Sequence, residues 1–174
     1  MKEYAVEEGK KVNLQKLTSP PLSRKVYAQA HQSLPIACHD VIIEYQGGLL
    51  LVVRDNFPSK GILGVIGGRI SRGIPIKDSL QKKVKEECGL EINDIVELGT
   101  ARTLFKTDPF GHGKGTDTIN ILFFARGNGK IKLDTLHKKP TIVKPADYTS
   151  KFRKSLHPYV RDLMDEGMKI IRKK

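Results

Sequence analysis

The sequence predicts an α+β fold, an α/β/α sandwich in which helices cover a mixed β-sheet. Apolar, strand-like runs cover residues 36–45 and 49–54, and the stretch Gln46-Gly47-Gly48 between them is typical of a tight hairpin turn. Apolar residues then recur at every fourth position over residues 76–88, which is the spacing of a helix with one buried face. Further strand-like runs and a final amphipathic segment follow, and this order of elements predicts a sheet between helical layers.

The chain begins with a segment that is set apart from the rest. Residues 1–21 are polar and end at Pro20-Pro21, so we expect a flexible arm or an edge element. Residues 22–34 are typical of a short helix that ends at Pro35, because a residue before proline favours an extended conformation. Four apolar residues share one side of this helix: Leu22, Val26, Ala30 and Leu34. Residues 22–174 are expected to form a single domain, since their number suits one core rather than two.

The later elements are predicted from composition and periodicity. Residues 49–54 are apolar on both faces, which predicts a position inside the sheet. Residues 95–105 suit a long strand that bends or bulges at Gly99, and residues 118–125 suit an antiparallel partner. Residues 130–150 are basic and poorly periodic, which predicts a loop or a strand end. The final helix is expected to turn five residues inward: Tyr159, Leu163, Met164, Met168 and Ile171.

Glu87 is the unusual residue of the central helix. At about 100° per residue it falls roughly 40° from the centre of the apolar stripe, so it points toward the core. A carboxylate in that position must be paired, protonated or bound to a metal, because an unpaired buried charge is costly. An ion pair with Lys83, one turn earlier, satisfies this requirement. The glycine turn at Gly67-Gly68 offers an alternative, since carboxylates and a backbone carbonyl together suit Mg²⁺ or Mn²⁺.

Composition excludes several classes of protein. The 174 residues carry a net charge of +12, which favours anionic ligands such as nucleotides, sugar nucleotides or nucleic acid. A lysine-rich solvated surface explains the same charge equally well. The sequence contains neither a run of membrane-helix length nor an apolar signal segment at its N-terminus. Cys38 and Cys88 lack metal-site spacing, so we expect reduced thiols in a cytoplasmic protein.

The glycine turn and the helix after it resemble the signature of the Nudix hydrolases, Gly-x5-Glu-x7-Arg-Glu-u-x-Glu-Glu-x-Gly-u, where u is aliphatic. Six residues match in register: Gly68, Val84, Glu86, Glu87, Gly89 and Leu90. Ile74 stands where the signature has its first Glu, and Lys82-Lys83 replace Arg-Glu. The change at Lys83 matters most, because the family often uses that Glu as a metal ligand or base.

Three further stretches are similar to the GDP-mannose mannosyl hydrolase branch of that family. They are residues 51–58, Gly67-Gly68-Arg69, and the Asp- and Gly-rich residues 108–117. The resemblance implies a metal-dependent hydrolase of a nucleoside diphosphate derivative, with nucleotide sugars preferred and Mg²⁺ or Mn²⁺ as cofactor. The branch is dimeric, so the resemblance also implies a homodimer as one possible assembly.

The resemblance also assigns roles to individual residues. The Gly67 carbonyl and Glu87 would hold the ion, with Glu86 as a ligand in its inner or outer shell. Arg54 and Arg69 would face the phosphates, where guanidinium groups stabilise the departing charge. Lys83 and Asn120 are expected beside the substrate.

The proton acceptor is left open by this comparison. The branch uses a histidine at the place of Asn120, and an amide cannot take a proton. His112 and Asp117 are the substitutes nearest in sequence, although an exposed loop histidine is an alternative interpretation of His112. A second hypothesis also stays open, in which the fold has lost catalysis and binds a nucleotide or RNA. Lys82-Lys83 and Ile74 favour that hypothesis.

Overall fold

The computed structural model describes residues 1–173. Within that part of the chain, seven strands form one mixed sheet with a helix on each face, and two short strands form a separate hairpin. The helices are α1 (Arg24–Ser33), α2 (Ile76–Cys88), α3 (Ser150–Ser155) and α4 (Pro158–Ile171), and Leu14–Leu17 form a 3₁₀-helix. The strands are β1 (Val6–Glu7), β2 (Lys10–Lys11), β3 (Ile36–Tyr45), β4 (Gly48–Arg54), β5 (Leu63–Gly64), β6 (Ile66–Arg69), β7 (Glu91–Phe105), β8 (Thr116–Asn128) and β9 (His137–Val143). This architecture confirms the predicted α+β sandwich.

The main sheet has the strand order β5-β4-β3-β8-β7. β3 and β8 are parallel, with Ile36 opposite Thr118, whereas the other strand pairs are antiparallel. The predicted hairpin joins β3 to β4 through Gln46 and Gly47, whose φ angles are 50° and 78°. Two positive φ angles are what the tightest hairpin turns require, and glycine adopts them without strain.

The sheet divides along one side of β3. Residues 43–45 of β3 pair with β4, whereas residues 38–41 pair with β6. β4 therefore leaves β3 and continues beside β5 and β9. β4 and β6 therefore diverge where they leave each other along β3, and the gap between them is the place of the candidate site.

Each face of the sheet has its own hydrophobic core. The predicted stripe of α2 is fully buried: Ile76, Leu80, Val84 and Cys88. On the other face, α4 buries three of its five predicted residues: Leu163, Met164 and Met168. Burial of a Leu, Ile, Val or Met side chain in these cores stabilises the fold by about 1.5–3 kcal/mol. None of the helices within residues 1–173 combines the length and hydropathy needed to cross a lipid bilayer.

Helix α1 buries a different face from the one that its apolar spacing predicts. Leu22, Val26 and Leu34 are exposed, and Leu34 keeps 61% of its surface. The buried side carries Tyr27 and His31, because those two rings pack against an aromatic residue of a distant loop. The helix is therefore anchored by aromatic contacts that its own periodicity does not show.

Two later elements also differ from the predicted bounds. Residues 130–150, predicted as a loop or a strand end, contain the complete strand β9. The middle residues of β9 are exposed, which is why its sequence is polar and lacks a strand-like apolar pattern. Strand β7 begins at Glu91 rather than at residue 95, and its pairing with β8 shifts register between Glu97 and Gly99. That irregularity confirms the predicted bulge at Gly99.

The N-terminal residues dock on the start of α2. The carboxylate of Glu3 accepts hydrogen bonds from the backbone N–H of Ile76, at 3.0 and 3.2 Å. The N-cap residue of α2 is Pro75, which makes no side-chain cap hydrogen bond. Glu3 therefore supplies from a distance the anionic acceptor that a helix N-terminus favours.

Replacing Glu3 by alanine is expected to lower the free energy of unfolding by about 1 kcal/mol, the usual contribution of an N-terminal cap. Urea denaturation measures this difference. Glu7→Ala is the matched control, since Glu7 is an exposed carboxylate of the same arm. Equal, negligible losses in the two variants would show that Glu3 does not cap α2.

Candidate functional site

A cavity of about 360 Å³ lies at the division of the sheet. This volume falls in the range of small-molecule sites. Five Phe and Tyr side chains line it: Tyr27, Phe57, Phe105, Phe110 and Tyr159. Its charged lining consists of Asp40, Arg54, Arg69 and Glu87. Aromatic faces and cations in one cavity suit a ligand with both a ring system and negative charge.

Glu87 points toward the core, as its position on the helix predicts, and it is 9% exposed. Its Oε2 accepts a hydrogen bond from the Gly67 backbone N–H at 3.3 Å. Its Oε1 lies 3.6 Å from the Lys83 ammonium nitrogen. Burial raises the pKa of Glu87 to about 7, although the Lys83 charge and the Gly67 N–H act to lower it. Within the chain, Lys83 and the Gly67 N–H are thus the partners of this buried carboxyl group.

The predicted metal ligands do not fit a divalent cation in this arrangement. Gly67 directs its N–H at Glu87, and Glu86 is more than half exposed, 4.0 Å from both Lys82 and Lys83. Within residues 1–173, no three His, Cys, Asp or Glu side chains are grouped so as to hold a metal ion. A hard cation needs several oxygen ligands, whereas the one buried carboxylate here already faces an ammonium group.

The two predicted phosphate-binding arginines both reach the cavity. Arg54 is held by the loop after β4, since its Nε donates to the Pro58 carbonyl at 3.1 Å. The Arg69 guanidinium lies over the ring of Tyr27, 4.4 Å from its centre. Within the described residues Arg69 makes no hydrogen bond through its side chain, so its planar N–H donors are available to a ligand.

Asp40 is the cavity residue that sequence reasoning missed. It lies on β3 opposite Gly67 and accepts a hydrogen bond from the Tyr159 hydroxyl. Burial raises the pKa of Asp40 to about 6, against the opposing effects of the Tyr159 hydrogen bond and the Arg54 charge. A carboxylate directly before the apolar residues 41–43 of β3 was the available signal, because such a residue needs a buried partner.

The structure does not bring His112 to the cavity lining, and it is not an exposed loop residue. Its side chain is only 9% exposed, and its Nε2 lies 2.9 Å from Nδ1 of His31. The carboxylate of Asp108 holds this loop by accepting the backbone N–H groups of Phe110, His112 and Gly113. Burial opposes the ionisation of Asp108, but these N–H groups lower its pKa to about 2. His112 thus supports the cavity wall through His31.

The other predicted residues are divided between the cavity and the surface. Asp117 lies outside the lining and is bound by Arg102, at 2.7 and 3.0 Å. Asn120 lines the cavity, where its amide donates to the hydroxyls of Thr103 and Thr118. Lys83 lies behind the lining, against Glu87.

Comparison with known proteins identifies related sequences and folds. The sequence model of the NUDIX domain matches residues 37–163. The low-salt glycan biosynthesis protein Agl8 of Haloferax volcanii is 27% identical over 137 residues, which cover 76% of this chain and 82% of that protein. An ADP-ribose pyrophosphatase of Methanocaldococcus jannaschii is 33% identical over 89 residues, covering 51% of this chain and 49% of that protein.

Two solved structures show the same fold. The MutT NUDIX hydrolase of Burkholderia pseudomallei superposes with a TM-score of 0.60 at 18% identity, covering 76% of this chain and 98% of that chain. The NUDIX domain of Shewanella oneidensis NrtR, complexed with ADP ribose, gives a TM-score of 0.60 at 15% identity, covering 88% and 100%. At these identities the likeness establishes the fold alone.

Proposed function

The chain belongs to the Nudix hydrolase family, and we propose that it hydrolyses a nucleoside diphosphate derivative, with nucleotide sugars as the preferred class. A relative named as an ADP-ribose pyrophosphatase supports the nucleoside diphosphate part. The relative named for glycan biosynthesis, which matches most of its length, favours a sugar as the second part.

The observation that carries this proposal is the pairing of Arg69 and Tyr27 on the cavity wall. The guanidinium covers one ring and keeps its N–H donors for a ligand. Such donors can bind two oxygens of a phosphate at once, and the other aromatic faces of the cavity suit a base or a sugar ring. Arg54 adds a second cation on the opposite strand edge. A diphosphate between these two arginines would have a guanidinium group on each side.

The reaction needs a proton acceptor, and we assign that role to Asp40. Water attacks the sugar carbon or a phosphorus, the bond to the leaving oxygen breaks, and the proton from water passes to the Asp40 carboxylate. Tyr159 holds one carboxylate oxygen of Asp40 in place, so the acceptor is oriented before the substrate arrives. Arg54 and Arg69 stabilise the charge on the leaving phosphate. No step is assigned to a divalent cation, since Glu87 already faces an ammonium group.

The test is to incubate the full chain with GDP-mannose, UDP-glucose and ADP-ribose, each with EDTA or with Mg²⁺, and to separate the products by ion-exchange chromatography. We expect one nucleotide sugar to be consumed fastest. In ¹⁸O-labelled water, label in the free sugar means attack at carbon, and label in the phosphate means attack at phosphorus. Consumption of none of the three would contradict the proposal. Nucleotide binding without turnover would favour the binding module, which the Lys83–Glu87 ion pair also suits.

Replacing Arg69 by alanine is expected to lower kcat/KM by roughly tenfold to a hundredfold, the effect of losing a charge-assisted hydrogen-bonding group. Steady-state kinetics on the best substrate measures this loss. Arg102→Ala is the control, because Arg102 is an exposed arginine paired with Asp117 outside the cavity lining. A lower Tm with an unchanged kcat/KM would show that Arg69 has only a structural role.

A further inference from the structure

Every oxygen of the Glu87 carboxylate already has a partner within the chain. Oε1 faces the ammonium of Lys83 at 3.6 Å. Oε2 accepts from the Gly67 N–H at 3.3 Å and lies 4.0 Å from Nε2 of His137. The other ring nitrogen of His137, Nδ1, lies 2.8 Å from Oδ1 of Asp134, which fixes the orientation of the imidazole. The carboxylate is therefore enclosed by one cation, one backbone donor and one oriented ring.

Lys83 reaches this position across the glycine turn. Its ammonium lies 3.6 Å from Glu87 and 4.0 Å from Glu86, so it bridges the two carboxylates. Its Cε passes 3.8 Å from the place a β-carbon on Gly68 would occupy. The side chain is only 27% exposed, which indicates a lysine packed along the turn rather than extended into solvent.

We propose that the Lys83 ammonium takes the place of a divalent cation at Glu87, so that this chain neutralises its buried carboxylate with its own side chain. The Nudix signature has a carboxylate at the position of Lys83. With Glu86 and Glu87, that signature brings three negative charges together, whereas the two carboxylates and one ammonium of this chain leave a net charge of −1. A divalent cation would have to approach an ammonium group at a few ångströms, and the repulsion between them opposes its binding.

This assignment concerns cation binding alone and does not depend on the substrate. It predicts that a single substitution is enough to give the chain a divalent-cation site. Lys83→Glu removes the ammonium and returns a third carboxylate. Because cation affinity follows the number of charged oxygen ligands, Lys83→Glu is expected to bind one Mn²⁺ per chain at least about tenfold more tightly than the wild type.

Titration of the full chain with Mn²⁺, followed by the electron paramagnetic resonance of the free ion and without any nucleotide, tests this expectation. Lys82→Glu is the matched control, since it makes the same charge change on the neighbouring, outward-facing residue. We expect its Mn²⁺ affinity to stay near that of the wild type. An equal gain in both variants would overturn the proposal, because general charge would then explain the binding. No gain in Lys83→Glu would overturn it as well.

The wild type provides an independent measurement should Lys83→Glu fail to fold. If wild-type protein binds one Mn²⁺ and Glu87→Gln abolishes that binding, Lys83 does not exclude the cation and the proposal is wrong. Lys83→Gln is a milder variant that removes only the ammonium, and it is expected to gain a smaller factor in Mn²⁺ affinity than Lys83→Glu. Absence of turnover with nucleotide sugars would contradict the proposed function but leave these binding results unchanged.

Discussion

Replacement of Gly67 by alanine is expected to destabilise the protein by about 3 kcal/mol or more, at the upper end of what overpacking costs. A β-carbon at this position would lie 2.7 Å from the Cα of Asp40 and closer still to the Asp40 carboxylate and the carbonyl oxygen of His39. Two of these three neighbours are backbone atoms of β3, and β3 is bonded to β8 on its other side. Neither strand can move away without breaking its pairing.

Thermal denaturation measures the Gly67→Ala effect, which corresponds to a fall in Tm of roughly 6–12 °C for a domain of this size. Gly64→Ala is the matched control. A β-carbon at Gly64 meets only the side chain of Arg54, at 3.5 Å, which is ordinary van der Waals contact. We expect a loss below about 1 kcal/mol there. Comparable losses in the two variants would show that β6 does not pack against β3 as closely as described.

Asp40→Asn is expected to lower kcat by about a hundredfold or more, since general-base catalysis contributes on this scale. The same variant should be more stable than the wild type at neutral pH. Burial raises the pKa of Asp40 from its ordinary value of 3.8 to about 6, so the folded state holds this proton more firmly than the unfolded chain. The contribution of Asp40 to stability is therefore fully present below about pH 4 and is lost as the pH rises through 6.

Asparagine does not ionise, so the variant avoids this loss. Its advantage in free energy of unfolding should be absent near pH 4 and reach at most roughly 3 kcal/mol above pH 6, the equivalent of a two-unit shift in pKa. Urea denaturation at the two pH values, with kcat measured at neutral pH, checks both effects. Wild-type turnover in Asp40→Asn would exclude Asp40 as the proton acceptor. A stability difference that does not change with pH would contradict the burial of its charge.

Tyr159→Phe separates the proton acceptor from the group that orients it. The hydrogen bond from Tyr159 lowers the pKa of Asp40, so its removal should raise that pKa further. The pH–rate profile is then expected to move its acidic limb to higher pH. An unchanged limb together with a lower kcat would mean that Tyr159 acts on the substrate rather than through Asp40.

The parts of the fold that sequence reasoning predicted are those in which one element determines its own burial. The stripe of α2 runs for three turns, and the position of Glu87 beside it follows from helix geometry alone. The β3–β4 hairpin is likewise specified by its turn residues. In each case the information lies within a few neighbouring residues.

The parts that were missed depend on contacts between distant segments. The inward side of α1 is chosen by Phe110, which contacts Tyr27 and His31 across about 80 residues of chain. The partner of Asp40 is Tyr159, 119 residues away. No local period encodes either contact, so the sequence alone offers as proton acceptors only His112 and Asp117, polar residues of the matching loop.

The parallel pairing of β3 with β8 has a consequence for how the protein folds. Ile36 and Thr118 are 82 residues apart, and every residue of α2 lies in the segment between them. This central ladder can form only after a loop of that length has closed, which gives the protein a high contact order and predicts refolding on a millisecond-to-second timescale. The nascent chain must therefore extend past residue 126 before β3 and β8 can pair along their full length, whereas β3, β4 and β6 can pair as soon as residue 69 is available.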